Sequence, residues 1–425
     1  MKTIRRGDRG PFVEAAQLAL TRAGYPTATD GIFGQNTYSA VTAFQSANAL
    51  PPDGIIGPQT QRKLIPFLKG YTLHTVKPGD TYFSLAERYG STVAAISAAN
   101  PSAIPENLRI GTTLTIPYAF PLVPTGISYT SELVSFIAEG LRARYPFVAS
   151  TSYGKSSLGR DLPLLIMGTG DTEVFYNASH HANEWITTPV LLKFLEEYAA
   201  AYAFGGDLFG FSAAYLFDKV TLYIAPLVNP DGIDLVTGAV TDGDPGYSTA
   251  RAISENYPSI PFPSGWKANI LGTDLNLNYP AGWEMAKEIK YAQGFVSPSP
   301  RDFVGVSPLS AKESLAVYLL TRRYNFALTL SYHSQGEIIY WKYLDYLPPD
   351  SYEIALKMSA ASGYLLEETP YASGFAGYKD WFIQEFNLPG YTIEVGLGSS
   401  PLPLSQFDKI YRDNIGILAL GMAAV

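Results

Sequence analysis

The chain of 425 residues contains no cysteine, which excludes disulfide bonds and thiolate-bound metal sites. It has only four histidines, so a metal ion held through imidazole has few possible ligands. Runs of about 18 apolar residues, the length that a membrane span needs, do not occur in the sequence. The first eight residues also lack the apolar stretch of a secretory signal. Any metal must therefore be held by His, Asp or Glu, and we expect no membrane span.

Basic charge is also scarce, since 30 Lys and Arg stand against 38 Asp and Glu and give a net charge of −8. A nucleic-acid partner calls for a basic surface, so this balance argues against one. Hydrophobic residues make up 47% of the chain and charged residues 16%, which is enough apolar material for a large core. The length predicts two or three domains.

An internal repeat marks the first segment, residues 1–69. The stretch Asp30–Thr37 (DGIFGQNT) recurs as Asp53–Thr60 (DGIIGPQT), and in each copy an Asp-Gly turn leads into a helix. Apolar residues between the copies, and upstream of the first copy, fall at helical spacing. The doubled pattern resembles the small three-helix peptidoglycan-binding domain of wall hydrolases. A generic helical hairpin repeat is the alternative interpretation.

The second segment, residues 70–118, has the order strand, helix, helix, strand. A Lys-Pro-Gly-Asp-Thr turn at 77–81 begins the first helix, and Ala-Asn-Pro at 99–101 follows the second. Together with the Ile-Pro at 116–117, this order closely resembles the LysM domain. The resemblance implies binding to glycans that contain N-acetylglucosamine. We expect His74 to lie in an edge strand here, without a catalytic role.

The proline-rich residues 119–126 are predicted to be a linker. In residues 127–425, apolar strands alternate with helical stretches, which indicates a buried, largely parallel sheet. The predicted strands are Leu162–Met167, Val174–Asn177, Val220–Pro226, Ala327–Tyr332 and Tyr391–Val395. The predicted fold is therefore multidomain: a three-helix bundle, a βααβ module, and an α/β domain whose mixed, mostly parallel sheet is flanked by helices.

Possible metal ligands follow two of the predicted strands. His181 and Glu184 form an HxxE pattern after the strand at 174–177, where open α/β sheets form ligand crevices. A catalytic zinc site needs three protein ligands and an open position, and His333 follows another strand. The HxxE pattern is weak by itself. It favours His181 as a ligand, but His180 remains an alternative.

Five motifs of the third segment occur in the order of the zinc carboxypeptidase family related to carboxypeptidase A, which this whole segment resembles. They are HxxE at 181–184, NPDG at 229–232, DLNLN at 274–278, SYHS at 331–334 and TIEV at 392–395. The resemblance implies one zinc ion per chain, bound by His181, Glu184 and His333. It also implies that Glu394 acts as general base. Independently of the resemblance, a carboxylate flanked by Ile393 and Val395 on an apolar strand is costly to bury without a partner.

Further roles are implied by the same resemblance. Tyr371, in the segment before Trp381, matches a mobile tyrosine that would hydrogen-bond the substrate amide. Arg160 matches an arginine near the cleft that would pair with a substrate carboxylate or polarise the carbonyl, with a surface ion pair as the alternative. Asn276 is expected to line the cleft, with a structural asparagine turn as the alternative.

The chain departs from the family at two positions. Exopeptidases of the family hold the substrate's C-terminal carboxylate with arginines, whose planar fork suits a carboxylate. Here Leu277 and Leu271 stand at those positions, and leucine cannot bind a carboxylate. Retained catalytic residues without this clamp resemble the γ-D-glutamyl-meso-diaminopimelate peptidase branch of the family. Lys379, at the base of the specificity pocket in the family, is hypothesised to pair with the distal carboxylate of diaminopimelate, with a surface lysine as the alternative.

These resemblances predict a zinc peptidase that binds peptidoglycan glycan strands and cuts the γ-D-glutamyl–diaminopimelate bond of their stem peptides. An ordinary zinc carboxypeptidase and a catalytically silent wall-binding protein are the alternatives. The predicted location is the cell wall or another extracytoplasmic site, with a spore-associated role left open. The absence of the two arginines counts against the carboxypeptidase, and the presence of all four catalytic-site residues counts against the silent protein.

Overall fold

The structure is a computed structural model that describes residues 2–425. Its helices are α1 (Pro11–Arg22), α2 (Gln35–Ala47), α3 (Pro58–Lys69), α4 (Tyr82–Tyr89), α5 (Val93–Ala99), α6 (Ser131–Arg144), α7 (Thr187–Phe204), α8 (Ala213–Lys219), α9 (Pro230–Val236), α10 (Tyr247–Glu255), α11 (Trp283–Ala292), α12 (Lys312–Arg323), α13 (Ser351–Ser362), α14 (Tyr378–Phe386) and α15 (Phe407–Ala423). Its strands are β1 (Tyr71–Thr75), β2 (Thr113–Pro117), β3 (Ala149–Lys155), β4 (Asp161–Met167), β5 (Thr172–Ala178), β6 (Asp207–Leu208), β7 (Phe211–Ser212), β8 (Val220–Ala225), β9 (Phe326–His333), β10 (Ile338–Tyr340), β11 (Leu365–Glu367) and β12 (Gly390–Glu394).

The repeated turns of the first segment fold in the same way. In the first copy, Gln17 Nε2 donates to Asp30 Oδ1 (2.8 Å), and in the second, Gln45 Nε2 donates to Asp53 Oδ1 (2.8 Å). The glycine after each aspartate has a positive φ and donates its N–H to the same glutamine. Each buried glutamine therefore hydrogen-bonds both the aspartate and the glycine of one turn. The three helices α1 to α3 pack around a common apolar core.

The second segment forms the predicted strand–helix–helix–strand unit, with β1 and β2 antiparallel. Thr81 begins α4 with a capping box, in which its side chain accepts from the backbone N–H of Ser84 (3.1 Å). His74 lies in β1, where its ring contacts Asp80 Oδ2 (2.7 Å) and Tyr89 Oη (2.8 Å). The hydrogen bond with His74 lowers the pKa of Asp80 to about 2. This histidine belongs to the structure of the module, as predicted.

The proline-rich connection at 119–126 is held by charged side chains from the first and the third segments. Arg22 of α1 donates to the carbonyls of Pro121 (2.6 Å) and Leu122 (3.1 Å), and burial lowers the pKa of this arginine to about 10. Arg144 of α6 donates to the carbonyls of residues 70, 118 and 120. Glu196 of α7 accepts from the N–H groups of residues 122 and 123. This segment is therefore fixed between the domains and does not behave as a free tether.

The third segment is built on one mixed sheet of eight strands, in the order β11-β10-β12-β9-β5-β8-β4-β3. Four neighbouring pairs are parallel and three are antiparallel, the latter involving the outer strands β3, β4 and β10. Side chains alternate along β5, so Val174 and Tyr176 face one apolar core and Phe175 faces the other. Helices α6, α7, α13 and α15 cover one face, and α11, α12 and α14 cover the other.

The sheet places three chain segments beside one another. Strands β5, β9 and β12 are parallel neighbours, so their carboxyl ends at Ala178, His333 and Glu394 meet at one edge. All five predicted strands occur within a residue or two of their predicted bounds, and the predicted fold class is confirmed. Within residues 2–425, no helix is both long and apolar enough to cross a membrane.

Candidate metal centre and active site

Three buried side chains converge at the edge where β5 and β9 end. His181 and Glu184 lie in the short 3₁₀ turn after β5, and His333 is the last residue of β9. His181 Nδ1 lies 3.0 Å from Glu184 Oε1 and 3.0 Å from His333 Nδ1, which in turn lies 3.0 Å from Glu184 Oε2. The structure thus forms a His-Glu-His group suited to bind one metal ion.

The donor atoms of this group fit a zinc ion. Two imidazole nitrogens face each other at 3.0 Å, and a cation between them satisfies both lone pairs. Tetrahedral zinc, with bonds of about 2.0–2.1 Å, separates its ligand atoms by about 3.3 Å, close to the spacing here. On the far side of the ring, His181 Nε2 lies 3.1 Å from Asp274 Oδ1. A carboxylate there keeps the proton on Nε2 and directs Nδ1 toward the metal.

The alternative ligand, His180, lies outside this group. Its Nε2 is 2.9 Å from the hydroxyl of Tyr279, and its ring packs against Tyr279, Tyr378 and the ring of His333 without joining the three metal-binding side chains. Burial lowers the pKa of His180 well below its usual value, so the ring is neutral. The structure therefore brings His181 to the metal group, as the HxxE register predicted.

Glu394 ends β12 next to the metal group, and its Cα is the register partner of His333. Its carboxylate has no hydrogen-bond partner within residues 2–425. Burial, and next the charge of Glu184, raise the pKa of Glu394 to about 8. A carboxyl group with a raised pKa beside a metal site can both accept and return a proton near neutral pH.

In metal-free protein prepared with a chelator, Glu394→Gln is expected to remove a pH-dependent loss of stability. The folded-state pKa of about 8 lies above the usual 4.5, so the folded protein holds this proton more tightly than the unfolded chain does. Glu394 therefore lowers stability as the pH rises from about 4.5 to about 8. We expect the Tm advantage of the variant to be absent near pH 4.5 and largest above pH 8. A Tm difference that stays constant across this range contradicts the expectation.

A cleft of about 540 Å³ opens beside the metal group and is lined by His181, Glu184 and Glu394. Three predicted substrate-binding residues also line it. Asn276 contributes its side chain, whose Oδ1 accepts from the N–H of Tyr378 (2.9 Å), and Leu277 is buried in the cleft wall.

The third of these residues, Lys379, lines the cleft and is buried. Its Nζ donates to the carbonyl of Lys342 (2.7 Å) and forms an ion pair with Asp380 Oδ1 (2.6 Å). The charge of this lysine is thus balanced inside the protein. Lys379 is therefore not the surface lysine that the sequence left as an alternative.

Three other predicted residues are not brought into the cleft. Arg160 pairs with Asp231 (2.5 Å) and Asp234 (3.1 Å) of α9, and both carboxylates are buried. Leu271 is 48% exposed on a loop away from the cleft. The hydroxyl of Tyr371 donates to the sulfur of Met285 (3.3 Å), although its neighbours Thr369, Pro370 and Ser373 line the cleft.

The structure also adds a cation that the motifs did not indicate. Lys267 lines the cleft, and its Nζ lies 3.6 Å from Asp274 Oδ2. Burial lowers its pKa, but Asp274 and Asp302 outweigh this effect and raise the pKa above its usual value. The lysine is carried by a loop that hydrogen-bonds to residues 182 and 300, far apart in sequence. A lysine in such a loop has no local pattern that would have singled it out.

Comparison with known proteins fits this geometry. Residues 135–416, most of the chain, match the zinc carboxypeptidase family (peptidase M14). The chain belongs to this family. Its other two segments also match families, residues 9–64 the peptidoglycan binding domain and residues 74–117 the LysM domain. The predicted family, a zinc metallopeptidase with two wall-binding modules, is thereby confirmed. These modules support binding to peptidoglycan and association with the cell wall.

Individual proteins are also similar to this chain. The chain is 42% identical to gamma-D-glutamyl-L-diamino acid endopeptidase 1 of Lysinibacillus sphaericus over 284 residues, 66% of this chain and 69% of that protein. It is 40% identical to the uncharacterized protein YqgT of Bacillus subtilis (strain 168) over 276 residues, 64% of this chain and 72% of that protein. The crystal structure of thrombin activatable fibrinolysis inhibitor (TAFI) has a TM-score of 0.57 at 17% identity, covers 79% of this chain and 96% of its own, and shows the fold alone.

Proposed function

We propose that this zinc peptidase hydrolyses the bond between the γ-carbonyl of D-glutamate and diaminopimelate in peptidoglycan stem peptides. The observation that carries the proposal is Leu277, which lies buried in the wall of a cleft that retains the metal group and Glu394. An apolar residue at this place cannot hold a C-terminal carboxylate, so the cleft suits an endopeptidase. The 42% identical relative is named as an endopeptidase of this specificity, which supports the same conclusion.

The residues of the cleft have separate roles in the hydrolysis. His181, Glu184 and His333 would hold a zinc ion, which would act as a Lewis acid toward the carbonyl and would lower the pKa of a water molecule. Glu394 takes a proton from the attacking water as the new C–O bond forms. It then gives that proton to the diaminopimelate amine as the C–N bond breaks. Lys267 adds a half-buried positive charge beside the carbonyl oxygen, where negative charge develops.

The buried part of the cleft that Lys379 and Asp380 line suits the far end of diaminopimelate. That end carries an ammonium and a carboxylate on one carbon, and the pair Lys379 and Asp380 presents one charge of each sign. Lysine in the same position of a stem peptide carries only the ammonium. Lys379 is therefore proposed to contact the distal carboxylate while Asp380 faces the ammonium.

Lys379→Met is expected to raise KM about tenfold for peptides with meso-diaminopimelate, because it removes one charge-assisted hydrogen bond to the distal carboxylate. KM for the matching peptides with L-lysine should stay within a factor of about two, since they lack that carboxylate. The lysine peptides thus serve as the internal control for any general damage to the buried pair. Equal increases in KM for both peptides contradict this role of Lys379.

The remaining segments are proposed to be a peptidoglycan-binding domain at 1–69, a LysM domain at 70–118, a connection at 119–126 and the catalytic domain at 127–425. The first two are proposed to hold glycan strands that contain N-acetylglucosamine, which brings the cleft to their stem peptides. This places the enzyme at the wall, outside the cytoplasm.

The reaction is tested by incubating zinc-loaded protein with L-Ala-γ-D-Glu-meso-diaminopimelate and with the same peptide extended by D-Ala. Mass spectrometry of the products identifies the bond that is cut. Release of L-Ala-D-Glu from both, abolished by a chelator and restored by zinc, is the expected result. Release of D-Ala alone indicates a carboxypeptidase, and no cleavage with zinc bound indicates a silent wall-binding protein; either result rejects the proposal.

A further inference from the structure

One wall of the cleft carries more positive than negative charge. This wall consists of five cleft-lining residues that pair with one another, Lys267 with Asp274, and Lys290 and Arg301 with Asp302. One unit of positive charge is therefore left over on this wall, apart from the metal group. An acidic group of the substrate would neutralise this positive charge.

Arg301 is the cation that can meet such a group. Its Nε lies 2.6 Å from Asp302 Oδ2, while the other oxygen of Asp302 is taken by Lys290 Nζ (2.8 Å). The two terminal amino groups of Arg301 have no hydrogen-bond partner within residues 2–425, and its side chain is 46% exposed. A guanidinium anchored through Nε presents these two groups as a fork, the shape that binds a carboxylate with two hydrogen bonds.

The position of this fork is tied to the metal group through hydrogen bonds. The backbone N–H of Asp302 donates to Asp274 Oδ2 (3.2 Å), and Asp274 Oδ1 is the partner of His181. Asp302 therefore links Arg301 to Asp274, the residue that contacts His181 of the metal group. A carboxylate on Arg301 would thus lie at a fixed distance from the carbonyl that is attacked.

The cleft is more open at Arg301, whose side chain is 46% exposed, than at Lys379 and Asp380. Arg301, Asn183 and Ser400 also line a second depression of about 300 Å³, which continues the cleft over residues 259–265. Lys379 and Asp380, by contrast, are each only 4% exposed. In the proposed substrate, the D-glutamyl half continues through L-Ala toward the glycan, so it needs the more open part at Arg301.

We propose that Arg301 binds the free α-carboxylate of the D-glutamate on the acyl side of the cut bond and sets the specificity for it. This inference rests on the proposed function. A γ-linked glutamate leaves its α-carboxylate free, whereas an α-linked one does not. Stem peptides in which this carboxylate is amidated lose the charge that Arg301 recognises and are poorer substrates.

The test compares L-Ala-γ-D-Glu-meso-diaminopimelate with the same peptide amidated at the α-carboxyl of D-Glu. For the wild-type protein, kcat/KM is expected to be roughly 10- to 100-fold higher for the acid than for the amide, because a charged bidentate contact is lost. Arg301→Gln should bring this ratio close to one, mainly by lowering kcat/KM for the acid. Arg301→Lys keeps the charge without the fork and should give an intermediate ratio.

Arg322→Gln is the matched control. Arg322 is 47% exposed and pairs with one carboxylate, that of Glu385, but it does not line the cleft. This variant should keep the wild-type ratio. If Arg301→Gln lowers the Tm, the test rests on Arg301→Lys, in which the ratio of kcat/KM for the acid to that for the amide should still fall below the wild-type ratio.

Two results overturn the inference while the proposed function stands. The first is a wild-type ratio near one, and the second is an equal loss for both peptides in the Arg301 variants. Cleavage of neither peptide by zinc-loaded wild-type protein overturns the proposed function and the inference together.

Discussion

Glu394→Gln is expected to lower kcat roughly 10²- to 10⁴-fold on L-Ala-γ-D-Glu-meso-diaminopimelate, the usual contribution of a general acid–base group. Glutamine has the same shape but cannot take the proton of the attacking water or return it to the leaving amine. Because Glu394 lies beside the metal group and is not part of it, zinc content should stay at one ion per chain. Steady-state kinetics and metal analysis of the same samples measure both quantities.

A glutamate outside the cleft provides the control for this substitution. Glu385 pairs with Arg322 on the surface, and Glu385→Gln should leave kcat and zinc content unchanged. If Glu394→Gln keeps more than a tenth of the wild-type kcat, another group must move the proton, since general acid–base groups contribute at least about 100-fold. A variant that loses zinc together with activity would instead indicate that Glu394 supports the metal.

His333→Ala is expected to abolish measurable cleavage together with zinc binding. Within residues 2–425, the metal group consists of His181, Glu184 and His333, so removing one of these three ligands leaves a site that holds zinc poorly. Loss of an outer partner alone typically costs 10- to 100-fold in metal affinity, so loss of a ligand should cost more than about 100-fold. Competition with a chromophoric chelator measures this affinity in wild-type and variant proteins.

The other buried histidine on a strand supplies the comparison. His74 has its own partners in the LysM domain, so His74→Ala should destabilise that module but leave zinc affinity and kcat on short peptides unchanged. Excess zinc should not restore the His333 variant at concentrations that saturate the wild type. Full activity of His333→Ala with wild-type zinc affinity would mean that a different set of residues holds the metal.

The central strands and the metal group could be predicted because their signals are local. A strand buried on both faces is a continuous apolar run, and the predicted Val174–Asn177 became β5, Thr172–Ala178. Parallel neighbours end at the same edge, so the residues that follow β5, β9 and β12 meet there. The sequence therefore indicated which side chains come together, though not the distances between them.

The charged walls of the cleft could not be predicted, because they depend on contacts between distant loops. Lys267 reaches the cleft only because its backbone pairs with the carbonyl of Pro300 and the N–H of Ala182. Arg160 shows the converse case, since its motif resembled a substrate-binding one while its true partners, Asp231 and Asp234, lie about 70 residues away. No pattern of composition or spacing identifies such pairs in a single sequence.

The connection at 119–126 is the part of the molecule whose packing differs most from the expected linker. Arg22 and Arg144 reach its carbonyls from two different domains, and Glu196 holds its N–H groups. Rotation of the wall-binding modules against the cleft is therefore already restricted in the folded chain. Restricting this rotation costs conformational entropy. Because the folded chain has already lost that entropy, attachment to a glycan strand does not lose it again.

A fixed connection also determines which stem peptides the anchored enzyme meets. With a flexible linker, the effective concentration of substrate falls off gradually with distance from the anchor. With the geometry fixed at Arg22 and Arg144, peptides within reach are met at high local concentration. Those beyond reach are met only after the modules release and bind again. Cuts are therefore expected in clusters around each point of attachment, separated by stretches of intact wall.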